Sequence, residues 1–113
     1  MRDAIAEGFA HAITQHGYTV YACAILRNHA HLVVRTHRHR SEEIWDHFAR
    51  DAAQSLRVFA EVPVNHPIWS HRPYKVFLKT NDEVRGRIKY VNDNPIKEKL
   101  KPQSWDFVVP FKN

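Results

Sequence analysis

Apolar residues recur at helical spacing in three stretches of this chain, and between the first two they gather into short β-rich runs. Ile5, Phe9, Ala12 and Ile13 fall at i, i+4, i+7 and i+8, the single stripe of an amphipathic helix. Gly17 stands where such a helix would end. Tyr18 to Ile25 is rich in β-formers and reads as a strand, with the single cysteine, Cys23, inside it. Leu32, Val33 and Val34 mark a second strand, and a tight connection at Leu26-Arg27-Asn28 would fold the two into an antiparallel pair. Ser41 then caps a second helix, with Glu42 and Glu43 in the first turn, where the helix dipole favours them. Its buried stripe is Ile44, Trp45, Phe48, Ala52, Leu56 and Phe59. Pro63, Pro67 and Pro73 punctuate the next stretch, in which Ile68-Trp69 and Tyr74 to Lys79 read as a broken strand. The capping box Thr80-Asn81-Asp82-Glu83 opens a third helix striped by Val84, Ile88 and Val91. That helix should stop near Pro95, because Asn94 precedes a proline and is biased away from helical backbone. The tail from Trp105 to Phe111 is apolar enough to dock on the body.

The order helix, strand, strand, helix, strand, helix predicts an α+β fold. With one strand in front it becomes βαββαβ plus a helix, a ferredoxin-like antiparallel sheet with helices on one face and an added C-terminal helix. The N-terminal strand is missing from this chain, and 113 residues fit a single domain spanning 1–113. A sheet short of one strand leaves the histidine-bearing strand with an open edge, an invitation to pair. The expected form is therefore a homodimer, joined through that edge or by exchanged terminal segments, with Phe107-Val108-Val109 a candidate filler.

Composition narrows the class. A hydrophobic fraction of 43% and an aromatic fraction of 12% exclude a disordered chain. One cysteine cannot form an internal disulfide, which suits a reducing, cytoplasmic setting and a core role for Cys23. No apolar run approaches the roughly 18 residues of a membrane span, and no signal peptide opens the chain. A formal charge of +5 favours a polyanionic partner.

The chemistry begins with His29 and His31. In a strand, alternate side chains share a face, so the two imidazoles stand side by side, opposite Ala30, Leu32 and Val34. They form a preformed pair of metal ligands or, on the plainer reading, two half-buried hydrogen-bonded strand histidines. Tyr90 and Asn94 are spaced to share a helix face distinct from the Val84/Ile88/Val91 stripe. A tyrosine there, flanked by Arg85, Arg87 and Lys89, is where a phosphate could be met. His37-Arg38-His39 is a second such pair, but it lies in a charged connector and reads as solvated. His11, His16, His47, His66 and His71 have no partner at ligand spacing and read as surface or capping residues.

The segment Tyr90-Val91-Asn92-Asp93-Asn94-Pro95-Ile96-Lys97 resembles the Tyr-Ile-x-x-Asn-Pro-Val-Arg/Lys stretch of the REP-associated tyrosine transposases. Asn28-His29-Ala30-His31-Leu32 resembles the Asn-His-Val-His-Leu that those enzymes share with other single-tyrosine HUH transposases. Ile68-Trp69 and Trp105-Asp106-Phe107 fall where the family tends to place its tryptophan-containing segments. Arg27 stands where many members carry proline, and the family's fold begins with a central strand that precedes this chain's first helix. The resemblance implies a ferredoxin-like fold and single-stranded DNA nicking with strand transfer. It implies His29, His31 and Asn94 as ligands of a divalent ion, magnesium or manganese, and Tyr90 as the nucleophile that forms a 5′-phosphotyrosine link. Arg38, Arg40, Arg72, Lys75, Arg85, Arg87, Lys89 and Lys97, with Lys99 and Lys101, are candidates to line the track of a single-stranded or hairpin DNA; Trp69 and Tyr74 are candidates to stack on bases. The alternatives are a catalytically inactive, domesticated hairpin-binding module of the same fold, and an unrelated small basic protein in which Tyr90 never meets the histidines.

Overall fold

The computed structural model describes residues 2–26, 30–59 and 80–112, as three helices and a two-stranded antiparallel sheet. The elements are α1 (Arg2–His16), β1 (Val20–Ile25), β2 (Ala30–Val34), α2 (Ser41–Phe59) and α3 (Asn81–Lys97). The α+β class expected from the sequence is the one found. The predicted turn at Arg27-Asn28 and the broken strand between Ile68 and Lys79 lie outside the described residues, as do His29, His66, Trp69, His71, Arg72, Tyr74 and Lys75. The described residues fall into two compact units, a helical one formed by 2–18 and 37–59, and a sheet one formed by 19–26, 30–36 and 80–112.

In the helical unit α1 pairs with α2. Phe9, Ala12, Phe48, Ala52 and Leu56, all buried, supply the apolar faces that the stripes predicted. The Phe9 and Phe48 rings meet edge to face at 5.2 Å. The helices approach closely at Gly8. A methyl built there would lie 2.5 Å from both Cα and N of Ala52 and against the Asp51 carbonyl oxygen, so only glycine fits. Gly17, at φ +73°, closes α1 as expected. It and Tyr18 both donate backbone N–H groups to the Ile13 carbonyl. The start of α2 is shifted by one residue from the expected cap. Ile44 N–H donates to the Arg40 carbonyl at 2.9 Å, so Arg40 takes the cap position and Ser41 lies in the first turn. Glu43 reaches back to accept from Arg40 N–H at 3.2 Å, which completes half of a capping box without a capping hydroxyl.

In the sheet unit β1 and β2 pair with Ala22 opposite Val33 and Ala24 opposite His31; a bulge at Tyr21 breaks the register. Helix α3 packs on both strands. Val91 joins Ala22, Ala24, Leu26 and Val33 in the core, with Val84 and Ile88 against it. Cys23 is buried, as expected, and burial pushes its thiol well above the ordinary thiol range. The outer edge of β1 is covered from within the unit. Val108 bridges Val20 in parallel, and Val109 N–H donates to the Val20 carbonyl at 2.9 Å. At the other end, the Gln103 amide imitates a strand: its oxygen accepts from Ile25 N–H at 2.8 Å and its nitrogen donates to Ile25 C=O at 2.7 Å. The tail thus fills an edge of β1, whereas the sequence had offered it to the histidine strand. Phe111 docks against Tyr21, ring to ring at 5.1 Å.

Thr80 caps α3 as its motif predicts, its hydroxyl accepting from Glu83 N–H at 3.1 Å. The end of the helix corrects the sequence reading. Asn94 is helical, Pro95 lies inside α3, and the helix runs on to Lys97. A proline there removes the N–H that would meet the Val91 carbonyl, a cost of about 3 kcal/mol in an ordinary helix interior. Two features offset it. Pro95 is fully buried, and the final turn closes on itself, with Lys99 N–H donating to the Ile96 carbonyl and Leu100 N–H to the Pro95 carbonyl at 2.7 Å. That paired closure needs a left-handed residue, and Lys99 supplies it at φ +61°, where glycine is the usual choice.

Candidate functional site

Tyr90 lies on the open side of α3 and is 42% exposed. Because Ala24 pairs with His31 and Ala22 with Val33, these residues share the sheet face on which α3 packs. That shared face brings the His31 and Tyr90 rings to 6.0 Å in an edge-to-face arrangement. Two cations approach the same phenol. The Arg87 guanidinium carbon is 5.1 Å from the ring centroid and the Lys97 ammonium 4.9 Å. Exposed cation–π contacts of this kind contribute roughly 0.5–1 kcal/mol each. Their larger effect is to hold two positive charges beside a hydroxyl-bearing ring, a setting that attracts a phosphate.

Asn94 does not share Tyr90's exposure. It is buried at 8%, on the border of the Val91 stripe, and its amide nitrogen donates to the Tyr90 carbonyl at 2.9 Å. The amide oxygen is the atom left for a ligand. One imidazole and one amide oxygen are donors that a divalent cation accepts, so the described part of the implied metal set is chemically consistent with it. His29, its third member, lies outside the described residues.

The expected basic track is resolved into parts. Arg85 pairs with Asp82 at 2.8 Å and Lys89 with Asp93 at 2.7 Å, both along the helix surface. The Lys89 hydrogen bond holds the Asp93 carboxyl below the usual range and raises Lys89. Arg87 and Lys97 face the tyrosine instead. Lys99 has the structural task of closing the helix, and Lys101 is exposed. Arg38 and Arg40 are exposed members of the helical unit.

The helical unit holds a cluster that no motif announced. His16 ends α1, His47 projects from α2, and His37 and His39 lie in the connector that leads into α2. One ring nitrogen from each of His16, His39 and His47 lies within 4.8 Å of the other two, close enough to hold a metal ion. The Tyr18 hydroxyl sits among them, 2.6 Å from His47 Nδ1 and 2.9 Å from His39 Nδ1. His16 and His47 stack at 3.7 Å, nearly parallel. His37 has both nitrogens engaged. Its Nε2–H donates to the His16 carbonyl at 3.1 Å, and its Nδ1 accepts from His39 N–H at 3.0 Å, an assignment of the tautomer that follows from the partners. Partial burial holds His16 below the ordinary imidazole value, with His47, His39 and Arg50 adding to the effect and Asp51 opposing it. His39 is lowered in the same way, by burial and then by His37, Arg38 and His47, against Glu43. Burial raises the Tyr18 phenol.

The sequence reading of His37-Arg38-His39 as a solvated pair, and of His16 and His47 as surface or capping residues, is therefore corrected. These residues are far apart in the chain and meet only because α1 and α2 pair. The available signal was positional: His16 and Tyr18 flank the glycine that ends α1, and His37 and His39 sit just before α2. Comparison with known protein families, with curated proteins and with solved structures returns no match. Among the described residues, no helix is long and apolar enough to cross a membrane.

Proposed function

We propose that this protein nicks single-stranded DNA and transfers the cut strand, with Tyr90 as nucleophile, within the ferredoxin-like framework that its resemblance to single-tyrosine HUH transposases implies. The observation that carries the reading is the exposed Tyr90 phenol beside His31, between Arg87 and Lys97. A phosphodiester drawn to the two cations comes to rest against the hydroxyl. Attack by the Tyr90 oxygen forms the new oxygen–phosphorus bond, the bond from phosphorus to the 3′ oxygen breaks, and the phenol proton passes to that oxygen. A 5′-phosphotyrosine and a free 3′-hydroxyl result. Because the link keeps the phosphodiester's energy, a second 3′ end can displace the tyrosine without a nucleotide cofactor. A magnesium or manganese ion held by His31, the Asn94 oxygen and His29 would supply Lewis acidity at a non-bridging phosphate oxygen. Arg87 and Lys97 position the substrate, and Asn94 is itself positioned by its bond to the Tyr90 carbonyl. A homodimer belongs to the same reading.

The test is a denaturing gel of the chain incubated with hairpin-bearing, single-stranded oligonucleotides and magnesium or manganese. A covalent protein–DNA band should form, and Tyr90→Phe should abolish it while leaving binding within a few-fold. Adduct formation by Tyr90→Phe, or tight binding by the wild type with no adduct, would contradict a nucleophilic Tyr90; the second result would favour the inactive hairpin-binding module.

A further inference from the structure

We propose that His16, His39 and His47 form a binding site for a zinc-class transition-metal ion, separate from the Tyr90 site, with three imidazole ligands and a fourth position open to water. The three rings come from the end of α1, the connector and the body of α2. An ion there would cross-link the two helices and the segment leading into the second. Ligand nitrogens around a tetrahedral zinc, at about 2.0–2.1 Å from the metal, lie roughly 3.3 Å apart. A cluster already within 4.8 Å needs only side-chain rotation to reach that spacing. The donor set selects the metal. Three imidazoles with no carboxylate among them suit zinc, nickel, copper or cobalt, and offer little to magnesium or calcium.

The surroundings are those of a supported site. His37 cannot ligate while both its nitrogens are engaged, and its two hydrogen bonds tie the His39 backbone to the end of α1. The Tyr18 hydroxyl contacts His39 and His47 and so governs which nitrogen each ring presents, the task of an outer-shell partner. One feature must change on binding. The lone pairs of parallel rings do not converge on one point, so the stack of His16 on His47 must open. Without a metal the same residues make an ordinary network of stacked, hydrogen-bonded imidazoles, and that is what the experiment must exclude.

The experiment uses the full chain, freed of metal by chelation, titrated with zinc and separately with cobalt(II). The expected result is one ion at the cluster at micromolar metal, with the visible absorption of four-coordinate cobalt; any ion taken by the Tyr90 site is the part lost in His31→Ala. His47→Ala and His16→Ala should each weaken binding by at least about tenfold. Tyr18→Phe should keep the stoichiometry and lose about tenfold in affinity, and His31→Ala, which removes a ligand of the Tyr90 site, should keep the ion of the His16, His39 and His47 cluster. If His47→Ala loses its helical circular dichroism, the wild type alone decides: zinc must shift the imidazole proton resonances of His16, His39 and His47. Binding that survives His47→Ala combined with His31→Ala in a folded chain, loss of all binding in His31→Ala alone, or zinc that leaves those resonances unmoved would overturn the proposal. Failure of the adduct experiment at Tyr90 would leave it intact.

Discussion

The imidazoles of the two units sit in opposite surroundings. In the helical unit, His16, His39 and His47 face one another and a tyrosine hydroxyl, with a fourth histidine pinning the backbone beneath them. In the sheet unit, His31 stands beside an exposed phenol flanked by a guanidinium and an ammonium group. On the two proposals made above, one residue type serves two kinds of ligand. Half-buried rings whose nitrogens lie within 4.8 Å of one another are suited to a transition-metal cation. A ring beside a phenol and two cations is suited to an anion. The tyrosines differ likewise: Tyr18 is buried and hydrogen-bonded, whereas Tyr90 is open.

The strongest way to break the comparison is to separate α1 from α2. Gly8→Ala drives a methyl into the Ala52 backbone, which cannot yield as a side-chain tip would. We expect a loss of about 3 kcal/mol by chemical denaturation, at the upper end of the cost of overpacking, together with loss of zinc binding. In the sheet unit, Gln103→Ala leaves the fully buried Ile25 backbone without the amide that brackets it. That should cost about 2 kcal/mol and speed hydrogen exchange in β1. Lys99→Gly relieves a left-handed lysine and should raise stability by about 1 kcal/mol with no change in zinc binding.

Acid gives a gentler separation. His16 and His39 hold protons less readily folded than unfolded, where they titrate near 6.5. Below that pH the unfolded chain takes up more protons, so the stability they contribute is full above 6.5 and declines as the solution is acidified toward their folded values. The protection factors of the α1 and α2 amides, corrected for the intrinsic slowing of exchange in acid, should fall in that window. Asp93, held below 3.8 by the Lys89 hydrogen bond, makes its own loss only in far more acidic solution.

Much of the frame was legible along the chain, because local rules decided it. Gly17 marked the end of α1, the β-rich runs marked the strand pair, and Thr80 with Glu83 marked the start of α3. Pro95 misled because burial of its ring and the closure at Lys99 and Leu100 are tertiary and post-helical effects that the dipeptide Asn94-Pro95 does not carry. Strand alternation set the face of His31 and helix spacing that of Tyr90, but neither pattern says that the two faces meet; Arg87 and Lys97 stood out from the other cations only once Arg85 and Lys89 were seen paired with aspartates. The histidine cluster was hidden for the plainest reason: His16, His39 and His47 belong to three separate segments, and spacing within any one of them is silent about the others.

Peptide mapping of the DNA adduct by mass spectrometry tests the central claim most directly. After digestion of the wild-type reaction, the peptide containing Tyr90 should carry a 5′-phosphorylated nucleotide on the tyrosine, and the released strand should end in a 3′-hydroxyl. A nucleotide found on Tyr18, Tyr21 or a histidine, or cleavage products with no tyrosine-linked peptide, would contradict it.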